Sequence, residues 1–111
     1  MDETLDIFGY SGQTKILTLL VTDKDFIGSM VDILEPKLFE NKAMGWVCEK
    51  TLNYYREFKL TPTIDVFRFQ VESIKNNETF QKEIAHTLKD IYENIGASDL
   101  AYFKEKSFTI C

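Results

Sequence analysis

His86 and Asp90 stand four residues apart, the spacing that brings two side chains together on one face of a helix. An imidazole beside a carboxylate is the minimal general-base pair, but it needs a nucleophile or a substrate pocket within hydrogen-bond reach. The sequence offers neither, and a solvent-facing histidine is the simpler reading. Metal chemistry needs clustered ligands at defined spacing. One histidine with Cys48 and Cys111 far apart does not supply it. Asp23, Asp25 and Asp32 fall within ten residues, yet helix capping and a solvated face account for them more simply than a divalent-cation site. There is no GxxxxGK[ST] phosphate loop and no glycine-rich strand-to-helix turn. No catalytic, cofactor-binding or metal-ligating residue is therefore assigned, and the chain is expected to act by binding other protein surfaces.

Charge narrows the partners. The 111 residues carry a formal charge of -5, with basic residues scattered singly among acids, as in Lys104-Glu105-Lys106. Such a chain gains nothing from counterion release on a phosphate backbone, so direct nucleic-acid binding is not expected. The polar Met1-Asp2-Glu3-Thr4 start is unlike a secretory leader, and no run approaches the length of a membrane span. With two unpatterned cysteines, these features point to a cytoplasmic protein.

Nine Phe, five Tyr and one Trp give an aromatic fraction of 14%, enough apolar surface for one folded domain. The hydrophobic periodicity predicts an all-α fold, a compact bundle of about six helices over residues 11–111, preceded by an extended lead-in over 1–10. Gln13, Ile16, Leu17 and Leu20 mark the inner face of the first helix. Thr22, with Asp25 three residues on, reads as the N-cap of a second that buries Phe26, Ile27, Met30 and Val31 and closes near Glu35-Pro36. Leu38 and Phe39 then cover the core from a short turn.

The third helix, from Asn41 to Phe58, has a predicted stripe of Ala43, Met44, Val47, Thr51, Tyr54, Tyr55 and Phe58. Thr63 caps a fourth, Ile64 to Lys75, burying Ile64, Phe67, Val71 and Ile74. Asn76-Asn77 turns into a fifth carrying Phe80, Ile84, Leu88, Ile91 and Ile95, which Gly96 stops. Ser98 is expected to cap a sixth with Leu100, Phe103 and Ile110, its stripe interrupted by Ser107 and with no following helix to pack against. Such an ending fits either a longer polypeptide interrupted inside a helix or an ordinary frayed tail.

Two aromatics break the amphipathic pattern. Trp46 lies about 120° from the centre of the third helix's stripe, on the side of Lys50 and Asn53. Phe69 lies opposite the stripe of the fourth helix. Large aromatics on polar faces dominate partner interfaces when exposed, and are ordinary packing when a neighbouring helix covers them. The candidate protein-interaction residues are Trp46, Lys50 and Phe69, with Tyr102 and Phe103 on the sixth helix.

The order of these features resembles the N-terminal domain of DnaB-like replicative DNA helicases, especially the phage T4-type branch. The resemblance rests on a helix such as Gln13 to Leu20, a D-x-x-F start at Asp23 to Phe26, a P-x-x-F turn at Pro36 to Phe39, and a long helix reaching the break at Thr61-Pro62-Thr63. It covers about residues 10–110. No single motif is specific; the order and spacing carry it. The resemblance implies a helical scaffold that packs against its copies in a hexameric ring and contacts primase or a helicase loader. ATP and Mg would belong to a motor domain after a linker, outside these residues. A helicase-binding C-terminal primase domain, similar in fold, and a stand-alone helical adaptor are the alternatives.

Overall fold

The apolar residues of Gly9–Thr22 (α1) do not keep to one stripe. Ile16, Leu17, Leu19, Leu20 and Val21 are all buried, as are Gly12, Gln13, Thr14 and Thr18. A helix apolar nearly all round needs neighbours on every side. The computed structural model, which describes residues 5–110, supplies them. Lys24–Met30 (α2), Lys42–Phe58 (α3), Glu78–Glu93 (α5) and Leu100–Ile110 (α6) all pack on α1, while Ile64–Glu72 (α4) packs on α5. Two 3₁₀ turns, Asp6–Phe8 and Pro36–Leu38, complete the order, and no strand occurs among the described residues. The all-α bundle of six helices is as the periodicity predicts.

Buried polar side chains tie the elements of this core together, as burial requires, although the Gln13 side-chain nitrogen is left without a partner. The Thr18 hydroxyl lies 2.8 Å from the carbonyl oxygens of both Thr14 and Ile91, linking α1 to α5. Gln13 accepts from the Glu40 backbone N–H at 2.9 Å, tying α1 to the segment before α3.

The helix starts follow side-chain capping. Asn41, Thr63 and Asn77 accept from the backbone N–H groups of Met44, Val66 and Phe80. At α2 the cap is Asp23 rather than Thr22. Asp23 accepts from Phe26 N–H at 3.0 Å, while the Thr22 hydroxyl turns back to the Thr18 carbonyl at 2.7 Å and stays in α1. The carboxylate accepts more strongly than a hydroxyl already engaged with its own helix.

Other boundaries also move. Over residues 5–10 the lead-in is a 3₁₀ turn running into α1 rather than extended chain; residues 1–4 lie outside the described residues. Burial of Leu5, whose N–H donates to the Leu38 carbonyl, fixes that compact geometry. α2 ends at Met30, because the Ile33 and Leu34 N–H groups both turn onto the Met30 carbonyl and so bury Leu34. α4 ends at Glu72, and Gln81 of α5 donates to the carbonyls of Val71 and Ile74, which the helix end leaves open. Asn76 takes a left-handed conformation in this turn, and Gly96, at φ +86°, does so beyond α5.

α6 differs most from expectation. It starts at Leu100, with the Phe103 N–H on the Asp99 carbonyl, and it packs along α1. Ser107 does not interrupt its inner face. It is wholly buried, with its hydroxyl on the Phe103 carbonyl at 2.7 Å, and its small size lets the helices approach. Gly12 is the matching position on α1, where a Cβ would lie 2.9 Å from the Phe103 ring and 2.7 Å from Phe8 Cβ. Ion pairs Lys15–Asp99 (2.7 Å) and Lys104–Asp23 (2.9 Å) pin both ends of this crossing. Cys111 lies outside the described residues.

Candidate protein-interaction surface

The residues with chemical potential are absorbed into structure. Asp90 accepts from Tyr10 Oη at 2.5 Å and lies 3.4 Å from His86 Nε2, so the carboxylate braces the start of α1 against α5. Partial burial, then the hydrogen bond to Asp90, pushes the Tyr10 phenol up to about 12. His86 itself is exposed. Burial likewise pushes the Cys48 thiol up to about 12, leaving it a protonated core group rather than a nucleophile. Asp23 is held below the ordinary carboxylate range by its hydrogen bond from Lys104, helped by the Phe26 N–H. Among the described residues no group of three His, Cys, Asp or Glu side chains could hold a metal ion. No helix among them is long and apolar enough to cross a membrane.

What remains is a surface built by the end of α3 and by α4. α3 stops where Lys59 turns left-handed and its N–H closes onto the Tyr55 carbonyl. Leu60 is left in the open, Pro62 is buried, and Thr63 starts α4. A nine-residue helix holding Val66, Phe67, Phe69 and Val71 has apolar side chains on more than one face. Phe67 takes the inward face and is fully buried. Phe69, about 200° round the helix, is left 73% exposed.

Between α3 and α4 runs an open groove of about 640 Å³, lined by Lys50, Tyr54, Glu57, Phe58, Phe69 and Gln70 among others. The Tyr54 and Phe58 rings lie 4.6 Å apart on one wall, with Phe58 52% exposed. The Gln70 side-chain oxygen is buried without a hydrogen-bond partner.

The five candidates separate on this geometry. Lys50 and Phe69 share the groove. Trp46 is half-buried against the core and lines a neighbouring hollow with Pro36, Phe39 and Phe80. The Lys50 ammonium sits 5.7 Å from the Trp46 ring centre and so connects the two hollows. Tyr102 and Phe103 do not line the groove. Tyr102 is exposed on α6, whereas Phe103 packs edge-on against Phe8 at 5.9 Å and over Gly12.

Sequence periodicity placed Phe58 and Ile64 in the core, but both are exposed, whereas Tyr54 is half-buried at the core edge. Cys48 and Leu52 are buried on the inner face of α3, because α3 is covered by α1, α5 and the Pro36–Leu38 turn together. Ile95, past the end of α5, is exposed as well. The signal for the groove was present in α4, whose apolar residues fit no single stripe. Neither a model of a known protein family, nor a curated protein, nor a solved structure matches this chain.

Proposed function

We propose that this chain is the N-terminal scaffold and protein-interaction domain of a DnaB-like replicative DNA helicase, serving ring assembly and contact with primase or a helicase loader. The observation that carries the reading is the concentration of exposed large apolar side chains, Phe58, Leu60, Ile64 and Phe69, along one short stretch. Exposed large apolar side chains gathered in this way mark interaction sites. The order of motifs from Gln13 to Ile64 supplies the family, and the all-helical bundle agrees with it. On this reading ATP and Mg act on a motor outside these residues, and nucleic acid is handled there too.

Calorimetric titration of the chain with the primase, and separately with the loader, of its own replication system tests the proposal. Binding of at least one, in the range of about 1 μM to 1 mM, is expected of an isolated module. A chain that binds neither, and shows no concentration-dependent self-association by sedimentation, contradicts it.

A further inference from the structure

The groove between α3 and α4 is chemically one-sided. Its lining carries two carboxylates, Glu57 and Asp65. Glu57 has no ion pair among the described residues, and Asp65 is held only at 3.3 Å by exposed Arg68. The one ammonium on the wall, Lys50, sits near the Trp46 ring and lies 3.9 Å from Glu49. The apolar part, Tyr54, Phe58, Val66 and Phe69, lines the same groove. A ligand for such a surface needs an apolar stripe flanked by hydrogen-bond donors of positive charge.

We propose that the α3–α4 groove docks a cationic amphipathic helix of a partner protein, its apolar stripe on Phe58 and Phe69 and its Lys or Arg side chains on Glu57 and Asp65. The proposal rests on the interaction-module reading and names the partner's chemistry. Helix-in-groove recognition uses anchors at i, i+3, i+4 and i+7, and a groove of about 640 Å³ is of the size that takes a few such side chains. The net charge of -5 would steer a cationic segment toward the chain and repel an acidic one.

The test uses two synthetic helical peptides of about 18 residues, long enough to form a helix, with the same leucine stripe. One carries Lys and Arg on its polar face, the other Glu. Each is titrated into the isotope-labelled full chain at ~100 mM salt while backbone amide shifts are followed. The cationic peptide is expected to shift amides of Asn53, Phe58, Phe69 and Gln70 and to bind at least about tenfold more tightly than the acidic one. Phe69→Glu and, independently, Glu57→Lys should each weaken it about tenfold without changing the melting temperature.

Equal binding of the two peptides, shifts centred instead on the α4–α5 cleft around Leu88 and Tyr92, or binding indifferent to both substitutions would overturn the proposal. So would concentration-dependent shifts of the same amides in the chain alone, which would make the groove a contact between copies. If primase or loader binding survives Phe69→Glu while the peptide result fails, the groove assignment falls and the helicase reading stands. Peptide binding without any primase or loader binding gives the reverse.

Discussion

Helix α1 buries nine of its fourteen residues, whereas α4 fully buries one of its nine. Both are amply apolar, so composition does not separate them. Position does. α1 has α2, α3, α5 and α6 around it, and α4 rests on α5 through Phe67 with open hollows to either side. A side chain that stabilises the fold in one helix is free to meet a partner in the other. On the proposed reading, stability and recognition fall to different helices, and substitutions in each should read out differently.

Leu17→Ala should give the largest effect. The side chain is fully enclosed, and truncation in such a site costs about 2–5 kcal/mol through lost transfer energy and the cavity left behind. Chemical denaturation should show one cooperative transition at a lower midpoint. A change below about 1 kcal/mol would mean that α1 is not the structural centre.

Gly12→Ala comes next. The added methyl meets Phe8 Cβ at 2.7 Å and the Phe103 ring at 2.9 Å, so α6 must move off α1. Overpacking of this kind costs about 1–3 kcal/mol. Hydrogen exchange should quicken along α6 before it does in α3 or α5. Uniform quickening would show that α6 is not a separable layer.

Acid should act on the same crossing. Asp23 and Asp99 are both held below the ordinary carboxylate value, first by their hydrogen bonds from Lys104 and Lys15. A depressed folded value means that the stabilisation is complete above the unfolded carboxyl value, near 3.9, and is lost as pH falls through the folded one. The melting temperature should therefore fall as pH is lowered from about 5 toward 2. Asp23→Asn keeps a good helix cap but removes the titrating charge, and should make that fall shallower. An unchanged slope would remove the Asp23–Lys104 pair from the account.

The smallest effect on stability belongs to Phe69→Ala. A side chain 73% exposed has little packing to lose, and its loss should shift stability by no more than about 0.5 kcal/mol. A drop of several kcal/mol would place Phe69 in the core and erase the contrast between α1 and α4.

The helix count and the caps at Thr63 and Asn77 were legible because they are local. Each cap acts within three residues of itself, and Gln13, Ile16, Leu17 and Leu20 recur with the helical period. Where two local options compete, as at Thr22 and Asp23, the pattern alone chose the weaker acceptor.

Residue order in this chain therefore carries the six helices, the breaks at Pro62 and Gly96 and the oddness of Trp46 and Phe69, all properties of near neighbours. The tertiary structure decided which apolar faces are covered. Phe103 became the seat of α6 on Gly12, Ser107 was buried, Trp46 was half-covered by the chain itself, and Phe58, Ile64 and Phe69 were left outside. Periodicity reports that a helix has an apolar face, but burial of that face depends on a second surface that the helix does not encode.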